Sequence, residues 1–595
     1  MEETNKKINW NLDNILKIDD FDNYYKETEK LINKLDEYWE KLSPEMDEET
    51  FKEIVIFDEM LGQRVSRLGH RGGLWSAVDQ KNSKARLLES KVDNLSLKYS
   101  EKARKINQWI KGLTIGSKAI LDDGNAKRLF AAVSDLTDNL WFTRKAAIHT
   151  LSLEEEEIIQ NKDMNGVSAL TNLRGLIETD FRFKVKSGNK IKRFDNVSEL
   201  MVLCYSSNPE DREGAYKALL ETHKEHLDKF FTIYQAVVRD WDYEARLRGF
   251  VSPISVRNFY NRIPDQAIDN LLEVCRNNRE VFQRFFRYKA KEMGMKKLRR
   301  FDIYAPIKKI EEKKTDYQKA IGLVLETFKE FSPNFRTEAE KIIKENHIDV
   351  YPDKNKRSGA FCSTVGPEVT PYVLLNYTGE RRDIYTAAHE LGHGIHSLMA
   401  NKHLPSAQNA SLPLAETAST LAETILFEKT YKNETNKDKK KQMLSEEIAS
   451  AYATIMRQNY FVVFEIKAHE AIKAGVSKEE LSEIYLKTLE EQFGDSVEVD
   501  PIFAYEWSYI PHIVNSPFYC YSYNFGQLLS WSLFRMYKEK GAEMVGKIEK
   551  LLAAGGAEEP ETILKEIGVD IRTTEFWQNG FKLISEWQEE LERLS

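Results

Sequence analysis

A mainly α-helical fold is predicted by three features of the sequence. Apolar residues recur at helical spacing over long tracts, Gly 28 and Pro 15 in 595 residues are both below average usage, and strand-like runs are few and short. In residues 21–42, Tyr24, Leu31, Leu35, Tyr38 and Leu42 mark one face and charges fill the other. Residues 83–113 are cleaner, with Leu88, Val92, Leu95, Tyr99, Ala103, Ile106 and Ile110 stepping by four and three. Residues 126–148 read as one further helix. Two more are expected in 195–229, where Asn208 caps and Pro209 takes the first helical position. The strand signals are 359–364 and, more strongly, 371–377, which Thr378-Gly379 closes. No repeat or low-complexity linker interrupts the chain, and a boundary is expected near residue 195.

Composition narrows the function classes. Lys+Arg 87 against Asp+Glu 95 gives a net charge of −8, which argues against a dedicated nucleic-acid binder. Hydrophobic content of 41% with 31% charged residues excludes wholesale disorder. Cys204, Cys275, Cys362 and Cys520 are too few and too scattered for a disulfide framework or a thiolate metal site, so a reduced, cytoplasmic setting is expected. Met1-Glu2-Glu3-Thr4-Asn5 is polar with no apolar run behind it, and no apolar stretch of about 18 residues occurs, so no membrane association is expected. Two basic clusters are read as solvated loops or helix ends: Lys437, Lys439, Lys440 and Lys441, and Lys296, Lys297, Arg299 and Arg300.

Chemistry concentrates around residue 390. Only 11 residues are His, yet His389, His393, His396 and His403 fall in one segment. His389-Glu390-Leu391-Gly392-His393 is H-E-x-x-H. On a helix the two imidazoles share a face and reach one metal ion, while Glu390 sits one residue round, where its carboxylate can touch a metal-bound water without being a ligand. His396 and His403 lack a partner at such spacing and are assigned to packing. A catalytic zinc needs a third protein ligand. A third His at the H-E-x-x-H-x-x-G-x-x-H spacing is missing, because Met399 stands there, so a carboxylate must serve. Residues 411–427 offer Glu416 and Glu423 on one helical face with Ser419, behind Pro413. Glu416 is assigned as ligand and Glu423 as the residue that holds a His tautomer. A third cluster runs over 511–523, with His512, Tyr519, Tyr521 and Tyr523. Phenol donors of this kind can stabilise an oxyanion. If the stretch is helical, Tyr519 and Tyr523 share a face and Tyr521 does not.

Taken together, Gly359-Ala360-Phe361-Cys362, the 371–379 stretch, the His389–His396 segment, Ala415-Glu416-Thr417-Ala418-Ser419 and the 512–523 cluster resemble the oligoendopeptidase F family, relatives of thimet oligopeptidase and neurolysin. Weaker matches reach Trp10-Asn11-Leu12 and Phe301-Asp302-Ile303-Tyr304-Ala305-Pro306, so the likeness spans most of the chain. The resemblance implies a helical ellipsoid with a deep substrate channel and a small β-sheet beside the metal. It implies His389, His393 and Glu416 as ligands of one Zn2+, Glu390 as general base, and His512 with a downstream tyrosine, Tyr519 or Tyr523, steadying the transition state. It also implies short unfolded oligopeptides as substrates. An N-terminal helical domain (1–195) and a catalytic domain (196–595) are expected, with 371–377 as an edge strand that pairs with substrate backbone. A helical zinc carboxypeptidase and a non-catalytic zinc scaffold are the competing readings.

Overall fold

The computed structural model describes residues 9–187, 190–307, 310 and 313–594. The chain divides into two compact units, each assembled from three separated stretches: 1–148, 312–430 and 536–569 in the first, and 149–311, 431–535 and 570–595 in the second. Helices dominate both. All four cysteines are free thiols. Among the described residues no helix is long and apolar enough to cross a membrane.

In the first unit, the helix Glu48–Val78 starts where Asp47 accepts a hydrogen bond from the Thr50 N–H, and Ser83–Ile110 starts where Asn82 accepts from Lys84 and Ala85. Their buried stripes meet in a core that includes Phe51, Leu68, Leu95 and Trp109. Each such side chain taken from water contributes about 1.5–3 kcal/mol. Tyr372 and Leu374 belong to the same core, which ties these helices to the strands described next. The helix expected over 126–148 is broken into Asp123–Ala131 and Thr137–Lys145. The Thr137 hydroxyl lies within bonding distance of the Phe130 and Val133 carbonyls, and Asp135 is engaged by His403 and the Leu404 N–H. These local and long-range bonds compete with a continuous helix.

A three-stranded sheet is built from β1 (Ile348–Asp349), β2 (Phe361–Ser363) and β3 (Tyr372–Leu374) in the order β1-β3-β2. β1 runs parallel to β3, with Ile348 opposite Val373, and β2 runs antiparallel, with Cys362 opposite Val373. The 371–377 run therefore supplies a buried central strand, and the edge role expected for it is overturned. Its whole YVL segment is buried, which suits a strand covered on both faces. β2 lies at an edge. Helix α1 (Arg381–Met399) follows the sheet and packs against β2, and α2 (Thr417–Asn433) follows a short turn of helix, Leu412–Ala415.

The second unit contains a hairpin, Phe183–Ser187 with Lys190–Phe194, and the helices Pro209–Glu225, Leu227–Leu247, α3 (Arg457–Ala474), Lys478–Phe493 and α4 (Tyr521–Lys540), the last running on past residue 535. Asn208 caps its helix through the Glu210 N–H, with Pro209 in the first turn, as the sequence predicts. The solvated reading of the Arg299–Arg300 pair is corrected. Arg300 is 1% exposed and donates to Glu506 at 2.7 Å, while Arg299 bonds Asp302 and Glu213. The short parallel pairing of Leu298–Arg299 with Val497–Glu498 carries this backbone inward, where only paired charges are tolerated.

Candidate metal centre

α1 is fixed at its entry by Asp383, which accepts from the Thr378 N–H at 2.7 Å and the Glu380 N–H at 3.2 Å. This capping box holds the helix to the chain leaving β3. Two turns in, His389 and His393 stand on one face with ring centroids 4.8 Å apart. Between them Gly392 allows an unusually close approach: a Cβ there would meet the Ser419 Cα at 2.6 Å and the Ala418 carbonyl at 2.7 Å. The absence of a side chain at 392 thus brings the start of α2 against the histidines.

Glu416 is delivered by that approach, though not from the continuous helix the sequence suggests. It caps the short Leu412–Ala415 turn, before α2 begins at Thr417. The Ser419 hydroxyl lies 2.9 Å from its Oε2 and 3.0 Å from its carbonyl, which fixes the carboxylate. Glu416 Oε2 lies 3.4 Å from His389 Nε2 and 3.5 Å from His393 Nε2. Zinc–ligand distances of about 2.0–2.1 Å in a tetrahedron put neighbouring ligand atoms about 3.3–3.4 Å apart. The donor set therefore fits one such ion, all three atoms lying within 4.8 Å of one another. Glu423 Oε1, from α2, is 3.0 Å from His389 Nδ1. This leaves Nε2 directed at the shared point. Burial works against a charged His389, while the carboxylates of Glu423, Glu390 and Glu416 pull the other way.

Glu390 is 7% exposed and lies beside β2, where the Cys362 backbone favours its charged form. Burial pushes its pKa up to about 7, with His389 opposing and Glu416 and Glu423 reinforcing the rise. A carboxyl of that pKa is suited to exchange a proton near neutral pH. Burial also raises the Cys362 thiol, and Glu390 adds to the effect. His393 is pushed down by burial. Of the two remaining histidines of the segment, His396 is buried, driven down to about 4, and lines the space beside the donors with its Nε2 unpartnered among the described residues. His403 is occupied elsewhere, bridging Asp135 and the Ala553 carbonyl. A cavity of about 450 Å³ opens over the donors, walled by β2 residues Phe361 and Cys362 and by Glu390. That size suits part of a peptide. The sequence signals missed Gly392 as the contact point and gave β2 only as the weaker strand.

The second cluster lies in the second unit. His512 opens the short helix His512–Asn515, Tyr519 stands in the turn after it, and Tyr523 is in the first turn of α4. Tyr519 therefore precedes the helix, and the shared helical face expected for Tyr519 and Tyr523 does not exist. The three rings still gather. His512 is parallel to Tyr519 at 6.3 Å and edge-on to Tyr523 at 5.9 Å, and the two phenol rings are 5.3 Å apart. Tyr523 Oη is 3.5 Å from His512 Nε2. Tyr521 is engaged instead by Asn261, which donates to its hydroxyl at 2.7 Å. Burial, with the charges of Arg457 and Arg174, pushes the His512 pKa down.

This helical chain brings together histidines four apart, a carboxylate delivered to them across a glycine, and a buried glutamate beside an edge strand. It belongs to peptidase family M3, whose family model matches residues 202–583. The oligopeptidase PepF of Bacillus subtilis is 25% identical over 601 residues, covering 100% of this chain and 88% of that protein. An oligoendopeptidase F homolog of Borreliella burgdorferi is 30% identical, with 75% of each chain covered. The crystal structure of oligoendopeptidase-F from Enterococcus faecium superposes with a TM-score of 0.71 at 20% identity, over 97% of this chain and 99% of that one, and establishes the shared fold.

Proposed function

We propose that this member of the family is a zinc-dependent oligoendopeptidase that hydrolyses internal bonds of short unfolded peptides, with one Zn2+ per chain held by His389, His393 and Glu416. The convergence of their three donor atoms, with Glu390 next in sequence to His389, carries the reading. A zinc ion bound there would supply Lewis acidity, lowering the pKa of a bound water toward about 7 and polarising the scissile carbonyl. Glu390 takes a proton from the attacking water and passes it to the leaving amine, a role that its pKa near 7 favours. Glu423 keeps His389 in the tautomer that presents Nε2. His512 and Tyr519 or Tyr523 donate hydrogen bonds to the developing oxyanion. β2 pairs with the extended substrate backbone, because it is an edge strand of the sheet and lines the cavity together with Glu390. Residues 196–595 carry the catalytic machinery in this proposal, and the extent of the family-model match, 202–583, supports that assignment.

Peptides of graded length, digested with and without chelator and resolved by mass spectrometry, test the reading. Internal cleavage that chelator abolishes and added zinc restores is expected. Stepwise trimming from the C-terminus would replace it with a carboxypeptidase, and chelator-insensitive cleavage would remove the metal from the reaction.

A further inference from the structure

Phe518, immediately before Tyr519, has φ of +57°, a left-handed conformation that bulky L-residues seldom adopt. Two side chains hold the backbone there. Glu465, from α3, accepts the Phe518 N–H at 2.8 Å through Oε1. Arg257, from the helix Pro253–Tyr260, donates to the Pro517 carbonyl and to the Ser516 hydroxyl, both at 3.1 Å. The Phe518 ring is 1% exposed and packs 4.7 Å from His469, one turn along α3 from Glu465.

The anchored turn connects directly to the polar cluster. The Ser516 N–H donates to the His512 carbonyl at 2.9 Å, the Tyr519 N–H to the Ser516 carbonyl at 3.1 Å, and the Tyr523 N–H to the Cys520 carbonyl at 3.2 Å. Glu465 itself is 0% exposed and forms no ion pair among the described residues. A carboxyl in that position is costly unless a specific group needs it, and the Phe518 N–H is such a group. Burial pushes its pKa up to about 8, so it is mostly protonated at pH 7 and accepts the bond as a neutral group. A neutral amide could do the same.

From this geometry we infer that Glu465 and Arg257 are positioning residues: they clamp the 516–520 turn in a strained conformation that sets His512, Tyr519 and Tyr523 for the transition state. The inference rests on the proposed role of that cluster. Glu465→Ala removes the acceptor, Glu465→Gln keeps a neutral one, and Arg257→Gln releases the other anchor. For each, kcat and KM on one peptide substrate are measured together with metal content and thermal midpoint.

In the Ala variant kcat is expected to fall about 10- to 100-fold, the scale of a misplaced transition-state donor, with KM within about twofold and metal content unchanged. The Gln variant is expected to recover to within about threefold of the parent. Parental kcat in Glu465→Ala, or a Gln variant as slow as the Ala variant, would overturn the clamp. Should Glu465→Ala fail to fold, Arg257→Gln decides in the same way, since parental kcat there overturns it. His512→Ala and Tyr519→Phe run alongside. If both keep parental kcat, the functional reading of the cluster fails. If they lose activity while the clamp variants do not, only the clamp fails.

Discussion

Burial of Glu390 and of Glu465 sets two carboxyls far from the surface range, and each has a consequence that can be measured. Glu390→Gln keeps the size and the Cys362 contact but cannot take a proton, so metal content should persist while kcat falls about 10²- to 10⁴-fold. Metal analysis and turnover of the same preparation check this, and unchanged turnover would refute the base assignment. For Glu465 the folded pKa of about 8 exceeds the ordinary carboxyl value of 4.5. The folded state therefore binds the extra proton between those values, and its stability from this group is full below pH 4.5 and is lost as pH rises through about 8. Relative to the parent, Glu465→Gln should gain stability progressively from pH 5 to 8.5, on the order of a few kcal/mol. Parallel denaturation midpoints that never diverge with pH would contradict it. At this scale the H-E-x-x-H pair was legible because four-residue spacing on a helix is local geometry. The burial of Arg300 was not, because its partner Glu506 lies 206 residues away.

Elements converge on the donors through one glycine. Gly392→Ala would drive a Cβ into the Ser419 Cα and the Ala418 carbonyl, which are backbone and cannot yield cheaply. Overpacking of this kind costs about 1–3 kcal/mol and would separate α1 from the start of α2, moving Glu416 off the histidines. Zinc affinity should drop at least tenfold by competition with a chelator. Gly546→Ala is the control. It lies inside the helix Ala542–Ala554 with nothing near its missing Cβ, so it should stabilise by about 0.5–1 kcal/mol and leave zinc affinity unchanged. Equal zinc affinity in Gly392→Ala would remove the close approach as the device that assembles the donors. Long helices such as Ser83–Ile110 were legible from period alone. The break at Glu416 and the central place of β3 were not, since both are decided by contacts across the sequence: Gly392 against Ser419, and β1 pairing from the far side of the sheet.

At the scale of the molecule, three histidine and glutamate donors between residues 389 and 416 sit in a unit that also takes 1–148 and 536–569. No linker composition could announce such a unit, because its parts are distant in sequence and joined only by packing, as Tyr372 and Leu374 are joined to the N-terminal helices. The arrangement predicts how metal and stability are linked. A ligand that binds only the folded state stabilises it by about 4 kcal/mol at a thousandfold excess over its Kd. Zinc added to chelator-treated protein should raise the thermal midpoint, and hydrogen exchange should slow chiefly in 9–148, 313–430 and 536–569, the described parts of the first unit. Glu416→Ala should abolish both effects. A midpoint shift that survives in Glu416→Ala would place the stabilising ion elsewhere. Protection confined to α1 and the start of α2 would show instead that the donors stiffen locally, without drawing on the core that the N-terminal helices share with the sheet.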